Sequence, residues 1–395
     1  MTRSSVQIKS SAAARIARGG LWVFSNEVRE PSQTLDRGQE VELIGPGERP
    51  IGVACAEPKS LIAFRLFAPP GQALDGSFFL SRINDALAKR RRLIQGETYR
   101  LVFSEADRLP GLIVDRYEQV LAVQLLTWGM ERLKGEIVGA LKEAVAPEAI
   151  VLCNDSEARR ELGLPAEDEQ LVYSNAVDLR RHVVELAGLS IGIDFMSSQK
   201  TGLFLDQAGS YRSVSSYDFD GEKGLDLFCY SGIFGMLALK RGAGHVVFVD
   251  SSPSALDLLR DNLRRNTLSE ARWEIVHSDV TRYLSGLKSE SVDFAFLDPP
   301  KFIKSKKYLY QGLQGYFNLN REAVRVLAQG GLLFTFSCSH HAQDEVFRRK
   351  VEDAIGKSGR QASLLAHFRQ NVDHPVLLPM EESFYLKGYL FRIER

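Results

Sequence analysis

No two of the four cysteines lie close enough in sequence to form a metal clasp. Cys55, Cys153, Cys229 and Cys338 contain no CxxC pair, which argues against a zinc site and against a disulfide framework. A reducing, cytoplasmic compartment is the expectation. Long apolar runs are also missing. Eighteen apolar residues nowhere run together, and Met1 to Arg18 is polar with no apolar stretch of the kind an export signal carries, so neither a membrane span nor export is expected. Net charge is absent too: 50 Lys and Arg balance 50 Asp and Glu, so no global field draws the chain to nucleic acid, and any such contact must come from local patches. No repeat of solenoid period stands out. What remains is an ordinary globular composition, 44% hydrophobic and 25% charged over 395 residues, with length for two or three domains.

Between Val6 and Phe67, short β-rich runs (VQIK, LWVFSNEV, EVELIG, PIGVACA, LIAFRLF) are separated by Gly and Pro signals, with one short helix expected around Ala12 to Arg18. They read as a small β-barrel over residues 1–70. After the linker Ala68-Pro69-Pro70-Gly71-Gln72, Asp75 or Ser77 can cap a helix whose buried face carries Phe79, Ile83, Leu87 and Ile94. The run Lys89-Arg90-Arg91-Arg92 near its end reads at least as well as a solvated face favoured by the helix dipole as it does as a phosphate contact. Strand-like alternation over 99–126, a helix over Arg132 to Val145 and a strand over Ala149 to Cys153 complete an α+β unit, residues 73–180, in which the charged stretch 156–170 is expected at the surface.

After Val183 the pattern changes to strands alternating with helices, the mark of a parallel sheet covered on both faces. Its strands read GLDLFCY, HVVFVD, RWEIVHSD, VDFAFLDPP and GLLFTFSCS, then SLLAHFR and GYLFRIE. The fold class is therefore α/β, a doubly wound seven-stranded domain over residues 181–395 with an antiparallel edge. Ligands of such sheets sit at the C-terminal strand ends.

Those ends carry the chemistry. Leu225 to Gly235 sets a strand, a tight glycine turn and a helix start in succession, and Gly232 and Gly235 would let the backbone approach a ligand. The run lacks G-x-G-x-x-G, so a nicotinamide cofactor is the weaker choice. Asp226, Asp250, Asp279 and Asp298 stand at successive strand ends. Asp250 is placed to accept both hydroxyls of a ribose, a charge-assisted contact worth about 1.5–3 kcal/mol, and Asp279 to accept an adenine amino group. Any one of these acids alone would be read as a helix N-cap. In Asp298-Pro299-Pro300-Lys301-Phe302 two prolines remove backbone donors and stiffen the loop, leaving acceptors facing the ligand and Phe302 ready to stack on a planar base. Cys55, Cys153 and Cys229 read as small buried hydrophobes, whereas Cys338 stands between Ser337 and Ser339 at a strand end. A nucleophilic thiolate there needs electropositive surroundings; His340 and His341 could help supply them or contact phosphate, but as a lone pair they read first as exposed polar residues.

The turn DLFCYSG, the loop DPPKF, the strand LLFTFSCS, the segment KTGLFLDQ (Lys200 to Gln207) and the late DHPV (Asp373 to Val376) together resemble the large-subunit ribosomal RNA cytosine carbon-5 methyltransferase family. The resemblance covers essentially the whole chain. It implies a class I S-adenosylmethionine-dependent domain, an N-terminal PUA domain that binds RNA and includes Trp22-Val23-Phe24-Ser25, and a small central α+β domain. It implies that Asp226, Phe228, Tyr230, Ser231 and Gly232, with Asp250, Ser251, Asp279, Asp298 and Pro299, bind S-adenosylmethionine, and that Phe204, Asp206 and Gln207 close over it. Asp298 would hold the cytosine edge, Phe302 its face, with Pro300 and Lys301 beside them, and Cys338 would be the nucleophile. The implied partner is 23S ribosomal RNA, the implied assembly a homodimer.

Carbon 5 of cytosine is too weak a nucleophile to take a sulfonium methyl, and thiolate addition at carbon 6 makes it an enamine that can. A base must then remove the carbon-5 proton so that the thiolate can leave. DPPKF has no Cys to assist release, unlike two-cysteine cytosine methyltransferases, and Asp298 or a water is left as the base. Lys301, Lys304, Lys306 and Lys307 supply a local positive patch for RNA. Three other readings compete: methylation of a purine nitrogen, since DPPK is loosely similar to an Asn-Pro-Pro-aromatic loop; a non-catalytic RNA-binding assembly factor on the same fold; and, weakest, a dehydrogenase.

Overall fold

The computed structural model describes residues 3–29, 34–165, 170–174, 178–196, 201–303 and 305–394. Lys200 and Lys304 lie outside them. The chain forms two compact units, one of Met1–His182, Ile193–Gly202 and Val372–Ser383, the other of Val183–Gly192, Leu203–Asn371 and Phe384–Arg395.

The first unit begins with β1 (Ser4–Gln7), α1 (Ser10–Ala17), β2 (Trp22–Phe24), β3 (Glu40–Ile44), β4 (Pro50–Ala56) and β5 (Ile62–Ala68). These strands form a sheet in the order β1-β3-β4-β5-β2, antiparallel except for the β1–β3 pair. There follow α2 (Gly76–Leu93), β6 (Thr98–Phe103), β7 (Leu112–Tyr117), β8 (Val120–Leu125), α3 (Trp128–Arg132), α4 (Lys134–Val145), β9 (Ala149–Leu152), α5 (Glu157–Glu161) and β10 (Gln170–Ser174). The second sheet runs β10-β9-β8-β7-β6. Asp75 caps α2 by accepting from the Phe78 N–H at 3.0 Å, and Phe79, Ile83 and Leu87 face inward. One core joins these side chains to Cys55 and Phe67 of the first sheet and to Leu101, Val114 and Leu121 of the second.

Two charged residues depart from the surface roles expected of them. Arg90 is buried, its guanidinium paired through both terminal nitrogens with Asp107 at 2.6 and 2.7 Å and donating to the Asp373 carbonyl at 2.8 Å, so it belongs to no phosphate-binding face. Asp373 also accepts from the Arg100 N–H at 3.0 Å, which docks the DHPV segment against β6. Arg159, in the stretch expected at the surface, is fully buried and donates to Glu131 at 2.8 Å and to the Pro165 carbonyl at 3.1 Å. Charges this deep are costly unless carboxylates and carbonyls answer most of their donors, as they do here for the terminal nitrogens of both guanidinium groups.

The second unit opens not with a parallel strand but with a hairpin, β11 (His182–Leu186) and β12 (Leu189–Ile193). Ala187 (φ 53) and Gly188 (φ 78) form its left-handed two-residue turn. Alanine is uncommon there, so the sequence signal was faint. After α6 (Ala208–Val214) the wound sheet alternates β13 (Lys223–Leu227), α7 (Ile233–Lys240), β14 (His245–Asp250), α8 (Pro253–Arg265), β15 (Trp273–His277), α9 (Val280–Gly286), β16 (Val292–Leu297), α10 (Leu309–Val326), β17 (Leu327–Ser337), α11 (Asp344–Lys357), β18 (Ala362–Arg369) and β19 (Lys387–Ile393). The order is β15-β14-β13-β16-β17-β19-β18, parallel through β17 with β19 and β18 antiparallel at one edge, as the seven apolar runs led us to expect. Order reverses between β13 and β16, where such sheets bind ligands.

Candidate active site

The turn after β13 is strained. Phe228 (φ 59) and Tyr230 (φ 47) are both left-handed, at about 1–2 kcal/mol each for a residue with a Cβ. The surroundings hold them there: the Cys229 N–H donates to the Val249 carbonyl at 3.2 Å, the Tyr230 N–H to Asp250 at 3.0 Å and the Gly232 N–H to the Cys229 carbonyl at 2.7 Å. Strain maintained this way concentrates at functional sites. The two glycines serve the packing of helix on strand. A Cβ on Gly232 would lie 2.1 Å from Leu259 of α8, and one on Gly235 would lie 2.3 Å from Phe248 of β14. They let α7 close onto its neighbours, and their missing side chains face that packing.

Four of the acids converge. Asp226 is buried on β13 and accepts from the Gly235 N–H at 2.8 Å. Burial first, then the nearby Asp298 and Asp250 carboxylates, push its carboxyl up to about 8 against the relief of that hydrogen bond. Asp250 is half-buried at the end of β14 and also accepts from the Ser252 N–H at 2.9 Å, with Ser251 exposed between them. Asp298 accepts from Gln207 Nε2 at 2.9 Å, and Asp206 from the Tyr385 hydroxyl at 2.6 Å. Tyr211, buried beneath them, is held well above its usual range by burial and then by Asp298, Asp206 and Asp226. Phe204 meets the strained turn directly, its ring 5.2 Å from that of Tyr230. Ser231 is buried within the turn. Asp279 is exposed and caps α9, accepting from the Arg282 N–H at 2.9 Å.

The proline loop and the cysteine turn are brought together by a tyrosine that sequence reasoning missed. Pro299 is buried, Pro300 and Lys301 are exposed, and Phe302 is half-buried with its ring 4.8 Å from Tyr316 of α10. Gly312 and Gly315 make that approach possible, since a Cβ on the first would lie 2.2 Å from Ile303 and on the second 3.2 Å from Phe302. The Tyr316 hydroxyl accepts from Ser337 at 3.0 Å and lies 2.9 Å from the Ser339 Oγ, which in turn accepts from the Ile303 N–H at 3.4 Å. Burial raises the Tyr316 phenol to about 12, with Cys338 adding to the effect and the serine bonds opposing it. Cys338 is half-exposed between these two anchored serines, while Cys55, Cys153 and Cys229 are buried. Lys387, also missed, is buried on β19 opposite Ser337 and donates to the Ser339 carbonyl at 2.7 Å. His340 is exposed, with its ring 5.2 Å from Tyr385, and His341 is half-buried. Lys301, Lys306 and Lys307 are all exposed.

Tyr316, Tyr385 and Lys387 left little trace in the sequence, because each is joined to its partner across at least 20 residues.

Comparison with known proteins follows the same outline. A family model described as conserved hypothetical protein 95 matches residues 210–329, and one for a PUA-like domain matches residues 6–69. Ribosomal RNA large subunit methyltransferase I of Tolumonas auensis is 33% identical over 395 residues, 98% of this chain and 99% of that protein. Its counterpart in Shewanella amazonensis is 34% identical over 394 residues, with the same coverage. A SAM-dependent methyltransferase from Streptococcus mutans shares the fold over 98% of this chain and 100% of its own, with a TM-score of 0.83 at 21% identity. This chain belongs to the ribosomal RNA large subunit methyltransferase I family.

Proposed function

We propose that this protein transfers a methyl group from S-adenosylmethionine to carbon 5 of a cytosine in 23S ribosomal RNA, with Cys338 as nucleophile. One observation carries the reading: the half-exposed Cys338 is set between two anchored serines beside the loop Asp298 to Phe302. The residues suit the cofactor. Asp206 and Asp250 form no ion pair with Lys or Arg among the described residues, so the two carboxylates are complementary to a ligand bearing a sulfonium and an ammonium group. The buried Gln207 Oε1 has no hydrogen-bond partner there, leaving an acceptor for an amine. Asp250 and Ser251 would hold the ribose, Asp279 the adenine, and Phe204 with Phe228, Tyr230, Ser231 and Gly232 would enclose the rest.

S-adenosylmethionine, when bound, supplies the electrophilic methyl group that carbon 5 takes. The chain supplies the nucleophile. The Cys338 thiolate forms a bond to cytosine carbon 6, and the electron pair displaced from the 5,6 double bond gives carbon 5 its enamine character. After methylation a base removes the carbon-5 proton, the pair returns to the ring, and the carbon–sulfur bond breaks to restore the thiolate. Asp298, or a water it holds, would take that proton. Phe302 and Pro300 would bear on the base, and Lys301, Lys306 and Lys307 on its phosphates. A thiolate mechanism also needs a reducing compartment, consistent with a cytoplasmic location.

The test is methylation of unmodified 23S ribosomal RNA by the purified protein, with the product nucleoside identified by mass spectrometry. 5-Methylcytidine from the wild type and none from Cys338→Ala is expected. An active Cys338→Ala variant, or an N-methylated purine, overturns the reading.

A further inference from the structure

Lys387 is a buried ammonium without a carboxylate partner. It begins β19 in register with Ser337, and its Nζ donates to two neutral acceptors, the Ser339 carbonyl at 2.7 Å and the Tyr385 carbonyl at 2.9 Å. No ion pair to Asp or Glu forms at this nitrogen among the described residues. A buried cation of this kind is costly unless an anion shares its surroundings. Two groups here can be anions, Asp344 at the start of α11 and Cys338. Asp344 is drawn elsewhere, accepting from the Tyr389 hydroxyl and lying 3.1 Å from His367 of β18 and 3.9 Å from Arg369. Tyr316 of α10 faces the turn from the other side as a neutral phenol.

We propose that Lys387 is a positioning residue for the reaction, holding the Ser337-Cys338-Ser339 turn by its carbonyl and supplying the counter-charge that keeps Cys338 ionised. This rests on the reading of Cys338 as the nucleophile. The geometry answers what the sequence left open, the source of an electropositive environment for the thiol. Burial lowers the Lys387 ammonium to about 8, with Asp344 and then Cys338 pulling the other way, so it still carries its proton at neutral pH. On ionisation the thiol proton passes to bulk water, and the ammonium and thiolate remain as a pair.

The experiment uses the full chain. The rate of Cys338 alkylation by iodoacetamide is followed against pH, with the modified peptide quantified by mass spectrometry. In the wild type the half-maximal rate should fall at least one pH unit below the value of about 8.5 for a free thiol. Lys387→Gln, which keeps a donor and loses the charge, should move it up by at least one unit and slow alkylation about tenfold at pH 7. Lys387→Arg should restore much of the wild-type profile, and methyl transfer by the three proteins should follow the same order in kcat. A wild-type Cys338 that titrates like a free thiol overturns the proposal without any variant, as does a Gln variant with an unshifted profile. The nucleophile assignment is judged separately, by the activity of Cys338→Ala.

Discussion

Replacing Asp226 by Asn should stabilise the protein, and increasingly so as the pH rises. The carboxyl is buried on β13, accepts one N–H bond from Gly235, and shares its surroundings with Asp250 and Asp298. Its folded-state value of about 8 lies above the ordinary 3.8, so the folded chain holds a proton that the unfolded chain gives up. Stability from this group is therefore full below about pH 4, falls as pH rises, and levels off beyond about pH 8. At about 1.4 kcal/mol per pH unit the ceiling is about 6 kcal/mol. Local relaxation and water entry reduce such penalties, and about 3 kcal/mol is the expected gain for Asn at pH 8. Asn keeps the acceptor for Gly235 and has no proton to lose. The assay is urea denaturation at pH 5 and pH 8 read by Trp273 of β15, with Trp22 and Trp128 changed to Phe in both proteins. The variant's advantage should grow between those pH values. An advantage equal at both, or a loss at pH 8, would show that Asp226 is not held protonated.

Gly235→Ala puts a Cβ 2.3 Å from Phe248 and should destabilise the second unit by about 1–3 kcal/mol in urea denaturation. Tyr316→Phe removes the hydroxyl shared by Ser337 and Ser339, with an expected loss of about 1–3 kcal/mol in the same measurement. Asp107→Ala leaves the buried Arg90 without its carboxylate and should cost about 3–5 kcal/mol, most of which returns when Arg90 is changed to Met as well. Changing Lys301, Lys306 and Lys307 to Gln should weaken binding to ribosomal RNA and flatten its dependence on salt by roughly one unit of slope per lost phosphate contact.

The wound sheet was legible because parallel strands buried on both faces read as unbroken apolar runs, such as HVVFVD and VDFAFL. Strand-end acids followed from the same feature, and Asp226, Asp250 and Asp298 do converge. Asp279 stands exposed at its strand end and also caps α9, the role that any one strand-end acid can take. In the sequence the hairpin over His182 to Ile193 reads as the start of the α/β pattern, because Ala187 and Gly188 reverse the chain where no Asn-Gly pair marks the turn. Composition alone places Arg90 and Arg159 at the surface, since nothing local announces that a distant carboxylate or carbonyl will meet an arginine. Lys387 was invisible for the same reason: the register of β19 on β17, set over a gap of 50 residues, brings it opposite Ser337.

The return of residues 372–383 to the first unit bears on how the chain is made. Arg90 needs the Asp373 carbonyl, and the Arg100 N–H needs the Asp373 carboxylate. A ribosome that has synthesised everything up to Asn371 has therefore not yet supplied the last partners of a cluster laid down near residue 90. Chains cut short before that point carry an arginine in the interior with a donor unanswered, a defect that proteolysis can recognise. Completion of the first unit thus waits until residues 372–383 have been made.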